Sequence, residues 1–166
     1  MNDATIIIRA VEACDTKQIT EIYNHYIINS TATFEMKPID EAEMQERING
    51  IAAEGPYFVC ENNGEILGYC YAHRWKARAA YRKTYETTVY ISPKHLGKGL
   101  GTLLMRKLIS ECSKSGIHAL IACITQGNEA SETMHRKLGF KQASHFEEVG
   151  EKFGKLLGVA DYELII

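Results

Sequence analysis

The feature that most constrains this sequence is an apolar segment that runs into a glycine-rich turn and then into an amphipathic stretch. The turn contains Gly97, Gly99 and Gly101. Apolar residues then recur at helical spacing as far as Gly116: Leu100, Leu103, Leu104, Leu108, Ile109 and Cys112. The first N–H groups of a helix have no partner within it, and the helix dipole favours an anion there. The pattern therefore predicts a strand, an anion-binding turn and a helix.

Spacing excludes two common phosphate-binding motifs at this turn. A nucleoside-triphosphate loop needs G-x-x-x-x-G-K-[ST], and no register of the turn supplies it. A dinucleotide fingerprint needs a third Gly or Ala, where this chain has Thr102 or Leu104. The remaining G-x-G-x-G pattern fits either a phosphate site or a tight strand-to-helix connection that binds nothing.

The segment from Leu96 to Gly101 resembles the acetyl-CoA pyrophosphate loop of the GNAT superfamily of N-acetyltransferases, usually written [QR]-x-x-G-x-[GA]. Leu96 departs from the Gln or Arg of that pattern. The resemblance implies an N-acetyltransferase that uses acetyl-CoA as co-substrate and no metal. It implies contacts with the cofactor from Val89, Tyr90, Ile91, Gly97, Lys98, Gly99, Leu100, Gly101, Thr102, Asn128 and Ser131.

Three further blocks are similar to the phosphinothricin and methionine sulfoximine acetyltransferase branch of that superfamily. They are W-K-x-R-x-x-Y at residues 75–81, E-x-T-V-Y-I at 86–91, and N-E-A-S at 128–131 followed by Met134-His135. This resemblance implies a catalytic Glu86 and substrate contacts from Phe34, Glu35, Trp75, Lys76, Ala77, Arg78 and Tyr81. The branch usually ends in a G-x-K-H-G-x-W-H-D-like run, whereas residues 150–158 here read GEKFGKLLG. The identity of the acceptor is therefore left open.

Composition indicates one globular domain over residues 1–166, with 45% hydrophobic and 24% charged residues. The net charge of −2, with both signs interspersed, gives no indication of nucleic acid or an anionic membrane as a partner. Five cysteines without a C-x-x-C pair indicate reduced thiols in a cytoplasmic protein. The six histidines lack metal-ligand spacing, so no metal site is expected.

Local patterns predict an α/β (α+β) fold, with a mixed, mostly antiparallel sheet and helices on both faces. The predicted strands are 6–11, 57–60, 65–73, 85–91 and 118–124, with two closing strands after Phe140 around a turn-like segment 150–158. Asn62-Asn63-Gly64 predicts a hairpin turn. Capping patterns at Asp15/Gln18 and Asp40/Glu43, together with Asn128, predict three further helix starts.

Acetyl transfer to an amine requires a group that accepts the proton of an ammonium whose pKa is about 10. Glu86 is the candidate base, because a carboxylate on a mid-sheet strand is costly unless it has a partner or a function. The alternative is an exposed glutamate paired with Lys83 or Arg82. His135 lies where many family members place a tyrosine that protonates the thiolate, although a partly exposed helix histidine fits equally well.

Arg78 suits recognition of an acceptor carboxylate, since a guanidinium binds a carboxylate through two hydrogen bonds. The alternative is a solvated cationic loop. We therefore predict acetyl transfer to the α-amine of a small amino-acid-like acceptor, without a covalent enzyme intermediate. A protein N-terminal acetyltransferase, a polyamine acetyltransferase and a non-catalytic acyl-CoA sensor remain alternatives. The resemblance also implies a homodimer.

Overall fold

The structure is a computed structural model that describes residues 6–166. These residues form a seven-stranded sheet in the order β1-β2-β3-β4-β5-β7-β6. The strands are β1 Ile7–Ala10, β2 Tyr57–Asn62, β3 Glu65–Arg74, β4 Thr84–Ile91, β5 Ala119–Thr125, β6 Lys141–Lys152 and β7 Lys155–Ile165. The helices are α1 Thr16–Asn29, α2 Glu41–Glu54, α3 Leu100–Lys114 and α4 Glu129–Lys137.

The predicted sheet is confirmed as mixed and mostly antiparallel. Every neighbouring pair of strands is antiparallel except β4 and β5, which are parallel. This one parallel pair requires a crossover connection, which α3 supplies. The site described below lies at this pair.

Helices cover both faces of the sheet, as the sequence predicts. One hydrophobic cluster joins α1 and α2 to β2 and β3, with Ile19, Ile48 and Tyr69 among its buried members. The other joins α3 to β3, β5 and β7 through residues such as Leu104 and Leu120. Because side chains alternate along a strand, β3 supplies Tyr69 to the first cluster and Cys70 to the second.

Local turn and capping chemistry explains most element boundaries. Asp40 caps α2, with its Oδ1 accepting from the Glu43 N–H at 2.8 Å. Helix α1 begins after Asp15 as predicted, but the Asp15 side chain does not cap it, because its carboxylate accepts from Arg9 at 2.7 Å and from the Glu12 N–H at 2.8 Å. The Gln18 side chain binds the β2–β3 turn instead. Its Nε2 donates to Gly64 O and its Oε1 accepts from the Ile66 N–H.

The turn-like segment predicted over 150–158 is much shorter than expected. Strand β6 continues to Lys152 and β7 begins at Lys155, so that only Phe153 and Gly154 turn, both with positive φ. The glycines of segment 150–158 suggested a loop. The apolar residues at 156, 157 and 159 instead allow β7 to extend through its second half. The β6–β7 hairpin therefore reaches beyond the edge of the sheet toward α1.

No helix within residues 6–166 is both long and apolar enough to cross a membrane. Over the same residues, no group of three or more His, Cys, Asp or Glu side chains is arranged to hold a metal ion.

Candidate active site

A cleft opens where the two parallel strands separate. β4 pairs with β5 only from Thr84–Ala119 to Glu86–Ile121, although both strands continue beyond that point. Past Glu86, β4 bonds to β3 alone, so its edge facing β5 is left unpaired over 87–91. The resulting cleft has a volume of about 850 Å³ and is lined by β4, β5, the glycine-rich turn and the start of α4. It is long enough to hold an extended ligand along β4.

The start of α3 forms one end of the cleft. Gly97 and Gly99 have φ of +74° and +75°, a conformation that side chains with a Cβ rarely adopt. Gly101 differs from these, because a Cβ there would make a tight contact of 3.1 Å with the Sδ of Met134 on α4. The helix thus begins with unpartnered N–H groups at an exposed, side-chain-free turn, which suits an anion.

The start of α4 forms the adjoining wall. Asn128 Oδ1 accepts from the Ser131 N–H at 3.3 Å, which confirms Asn128 as the helix cap. His135 is buried at 3% exposure and packs edge-to-face on Phe140, so the expectation of a partly exposed histidine is wrong. Its Nδ1 lies 2.8 Å from Ser131 O and donates to it. Burial lowers the pKa of His135, which keeps the imidazole neutral near pH 7.

Glu86 lies at the point where the strands separate, opposite Ile121 on β5 and His73 on β3. It is partly buried, lines the cleft, and forms no salt bridge within the described part of the chain. Burial raises the pKa of Glu86, the nearby His73 lowers it and the Asp161 carboxylate raises it. The alternative of a pair with Lys83 or Arg82 therefore does not describe this residue.

Comparison with known proteins decides the family to which this cleft belongs. Residues 19–140 match the family described as "Acetyltransferase (GNAT) family". The chain belongs to this GNAT family and is an N-acetyltransferase.

Named relatives of this acetyltransferase cover nearly its whole length. It is 41% identical over 150 residues to a phosphinothricin N-acetyltransferase of Alcaligenes faecalis, covering 89% of this chain and 76% of that one. It is 35% identical over 158 residues to an L-methionine sulfoximine/L-methionine sulfone acetyltransferase of Salmonella typhimurium, covering 95% and 92%. A phosphinothricin acetyltransferase of Sinorhizobium meliloti, solved with acetyl-CoA, superimposes with a TM-score of 0.94 at 35% identity, covering 98% and 89%.

Most of the cofactor contacts predicted for this acetyltransferase lie together along the cleft. Val89, Tyr90, Ile91, Gly97, Gly99, Gly101, Thr102, Asn128 and Ser131 all line it. Two predicted residues do not. Leu100 is buried in the core beneath α3, and the exposed Lys98 places its Nζ 3.2 Å from His95 Nδ1 on the outer side of the turn.

Of the predicted substrate residues, only Phe34 lines the cleft. Glu35 forms a salt bridge with Arg47 at 2.7 Å. The W-K-x-R-x-x-Y block follows β3 and forms a surface cluster, in which Lys76 Nζ lies 4.0 Å from the centre of the Trp75 ring. The block's other members, Ala77, Arg78 and Tyr81, also lie outside the cleft lining, and Arg78 is exposed.

Several cleft residues were not singled out from the sequence. His73 and Tyr71 alternate with buried residues on β3, and this period of two was the available signal for their orientation. Cys123 on β5 lines the cleft, and burial together with the carboxylates of Asp161 and Glu86 raises its thiol pKa to about 12. Asp161 is opposite Cys123 on β7 and accepts from Ser144 Oγ at 2.7 Å.

A loop after α1, residues 30–34, closes the cleft on the side facing α1, and we call it the wall loop. It contains Phe34, the one predicted substrate residue that lines the cleft. The local bonds of Ser30 and Thr33 within S-T-A-T-F do not indicate this role, because the loop's carbonyl groups are bound by partners far away in sequence.

Proposed function

We propose that this acetyltransferase transfers an acetyl group from acetyl-CoA directly to the α-amine of a small amino-acid-like acceptor, with Glu86 as the general base. The acceptor class is that of phosphinothricin and methionine sulfoximine. The observation that carries the proposal is Glu86 itself, a partly buried carboxylate without a salt-bridge partner in the described chain. It sits where β4 and β5 separate into a cleft headed by a helix N-terminus.

The residues of the cleft fit acetyl-CoA. The open backbone at Gly97 and Gly99 leaves room for a pyrophosphate against the first N–H groups of α3, since a Cβ at either glycine would meet nothing within 4 Å. The unpaired edge of β4 from 87 to 91 offers backbone groups to the pantetheine amides, and Asn128 and Ser131 lie on the facing wall. Ile91 is five residues from Glu86, or about 17 Å along the strand. Acetyl-CoA supplies the acetyl group as a thioester.

Glu86 acts on the acceptor rather than on the donor. The acceptor arrives as an ammonium with a pKa of about 10, and it must lose a proton before its nitrogen can bond to the acetyl carbon. A carboxylate with a raised pKa is a better match for this proton, directly or through a water molecule. The proposal is direct transfer, since an amine needs no covalent intermediate, and the pKa of Cys123, the one thiol that lines the cleft in residues 6–166, is raised rather than lowered as an activated nucleophile would require.

For His135, which lies in the last turn of α4, the geometry supports a positioning role through its bond to Ser131 O rather than that of an acid. A neutral imidazole whose Nδ1–H is already bonded to Ser131 O is a weak proton donor. Its contacts with Ser131 and Phe140 fix the wall beside the thioester end of the cleft.

Arg78 remains the proposed ligand of the acceptor carboxylate. No Lys or Arg of the described residues lines the cleft, and the segment carrying Arg78 follows directly after His73, which does. The names of the relatives, phosphinothricin and methionine sulfoximine acetyltransferases, support an acceptor with this carboxylate.

One observation favours a second candidate acceptor, a diamine or polyamine. Glu86 lines the cleft, the carboxylate of Asp161 lies near enough to raise the pKa of Glu86, and cationic side chains are absent from the lining in residues 6–166. Negative charge of this kind attracts a polycation.

Thiol release from acetyl-CoA in the presence of a panel of amines tests both candidates. We expect methionine sulfoximine, phosphinothricin or a similar amino acid to give the highest kcat/KM, with little release in the absence of an amine. A panel in which diamines exceed every amino acid would favour the second candidate. Release with no acceptor at all would contradict the proposed function.

We also propose a homodimer that works in the cytoplasm. The β6–β7 hairpin exposes large apolar side chains, with Phe146 at 50%, Val149 at 59% and Leu156 at 59% exposure, which is the composition of a protein contact surface.

The cysteines of the described residues, three of them buried in the core, are free thiols, as expected in a reducing compartment. Light scattering after gel filtration and cell fractionation test these two proposals.

A further inference from the structure

The backbone carbonyl groups of the wall loop are bound by side chains from β4, β5 and β6, in addition to bonds made by the loop's own hydroxyl groups, such as Ala32 N–H to Ser30 Oγ at 3.0 Å. Four consecutive carbonyl groups of the loop accept hydrogen bonds from outside it. Lys152 Nζ donates to Ser30 O and to Thr33 O, each at 2.7 Å. Thr125 Oγ1 donates to Thr31 O at 2.7 Å, and Tyr90 OH donates to Ala32 O at 3.4 Å. The loop belongs to no helix or strand, so these bonds replace the backbone ladder that would otherwise define its shape.

Lys152 is the unusual member of this set. It is the last residue of β6 and only 1% exposed, whereas lysine is almost never fully buried without a charged partner. Within residues 6–166 its ammonium forms no salt bridge, and the nearby Glu35 carboxylate is paired with Arg47. The Phe153 ring, 5.1 Å from Nζ, gives a further contact.

Burying an ammonium group is expensive, and an apolar side chain of similar length would fill the same space without that cost. Two carbonyl groups directed at a single ammonium satisfy two of its three donors and fix the spacing between Ser30 and Thr33. The two bonds from Lys152 therefore fix the conformation of the wall loop, at the energetic cost of removing the ammonium group from water.

The β6–β7 hairpin, which carries Lys152, also supports the wall loop by steric contact. The Phe34 ring lies directly over Gly150, and a Cβ at that position would overlap the ring. Phe34 also lines the cleft. The hairpin therefore sets both the backbone and one aromatic side chain of the cleft wall.

We propose that Lys152 is a positioning residue for acceptor binding, which holds the wall loop in the shape that fits the acceptor without touching the reacting atoms. Its kinetic consequence rests on the proposed function above. Lys152 binds the carbonyl groups of Ser30 and Thr33, whereas the predicted cofactor residue Tyr90 contacts the loop at Ala32, so Lys152 should affect the acceptor more than acetyl-CoA.

Lys152→Met tests this proposal, because it keeps the unbranched side chain as far as the ε carbon and removes its donors. We expect the KM for the acceptor to rise by about tenfold or more, as for loss of hydrogen bonds to a charged group, while the KM for acetyl-CoA stays within about twofold. Lys141→Met is the matched control, since it removes the same charge from an exposed position on the same strand. An acceptor KM that is unchanged in Lys152→Met would overturn the proposal, even if the melting temperature falls.

Amide hydrogen exchange gives a second readout that does not depend on activity. In Lys152→Met the amides of the wall loop should exchange about tenfold faster, whereas those of α3 around Leu104 should keep the wild-type rate. Unchanged exchange in the wall loop would contradict the positioning role. If the wild type acetylates no amine in the panel, the proposed function has failed, and this measurement still decides whether Lys152 holds the loop.

Lys152→Gln decides the question if the methionine variant does not fold. Glutamine keeps an N–H donor, but its side chain is one atom shorter and cannot reach both carbonyl groups. We expect an acceptor KM and wall-loop exchange between those of the wild type and Lys152→Met. Wild-type values of both in Lys152→Gln would overturn the proposal.

Discussion

Glu86 on β4 and Ile121 on β5 form the last parallel pair between these strands, and beyond that pair the strands separate. The separation places a partly buried carboxylate at the inner end of the cleft rather than in the middle of a continuous sheet. We propose that the thioester lies along β4 and that the acceptor enters from the opposite end of the cleft, so that Glu86 lies between them. The first prediction therefore concerns Glu86.

Glu86→Gln keeps the shape of the side chain and removes the base. General-base assistance typically contributes about 10²–10⁴-fold, so kcat/KM should fall by about that factor near pH 6 while acetyl-CoA binding is retained. The loss should shrink toward pH 9.5, because more of the amine arrives neutral. Rates of wild type and variant across this range provide the measurement. Glu163→Gln is the control, since Glu163 is exposed and faces Ile121 from the other side.

The same variant should become more resistant to heat above neutral pH. The pKa of Glu86 is raised in the folded protein, so the unfolded state releases that proton at lower pH and the ionised carboxylate destabilises the fold. Glu86→Gln should then melt at a higher temperature than the wild type at pH 8. A lower melting temperature, with an activity loss independent of pH, would instead indicate a structural role for Glu86.

Gly99→Asp should abolish acetyl-CoA binding in a folded protein. It places a carboxylate where the start of α3 would hold the pyrophosphate, and the empty space around Gly99 leaves the core untouched. Calorimetric titration measures the affinity. Gly64→Asp, at a turn with φ of +84°, adds the same charge and similar backbone strain away from the cleft, and it should bind normally. Equal affinities for the two variants would remove the glycine-rich turn from the cofactor site.

Arg78→Ala should weaken amino-acid acceptors more than the corresponding amines that lack the carboxylate. A hydrogen-bonded charge pair contributes about 1.5–3 kcal/mol, which corresponds to one to two decades in kcat/KM. Arg82→Ala, a neighbouring exposed arginine on the same segment, is the control and should affect both acceptor types alike. The same loss for both acceptor types in Arg78→Ala would assign Arg78 to a solvated surface loop.

Stability should fall as the pH drops through about 6.5, in part because of His135. Burial lowers the pKa of His135, so the unfolded chain takes up a proton that the folded protein excludes. His135→Asn can keep the donor to Ser131 O but has no titrating ring, and it should lose less stability between pH 8 and about 5.5. Melting temperatures across this range test the difference. Parallel curves for the variant and the wild type would show that His135 does not contribute.

Features that depend on a few neighbouring residues were predictable from the sequence. The glycine-rich turn, the hairpin at Asn63-Gly64 and the cap at Asn128 are specified by side chains within four residues of the backbone they stabilise. The alternation along β3 and β4 and the helical spacing along α3 predicted which faces would be buried. The helix start at Asp15 was predicted correctly, but its capping bond was not, because Arg9, which lies outside the local pattern, binds the Asp15 carboxylate.

Only the tertiary structure decided how these parts form a site. The separation of β4 from β5, the location of Asp161 beside Cys123 and the burial of Lys152 against the wall loop all join residues far apart in sequence. It also placed the W-K-x-R-x-x-Y block on the surface rather than along the cleft. The physical reason is that the order and register of the strands decide which side chains come close enough to form hydrogen bonds or to affect each other's charge. Apart from the β6–β7 hairpin, the sequence by itself determined the glycine-rich turn, the strands and the helices, because their signals lie within a few residues of one another.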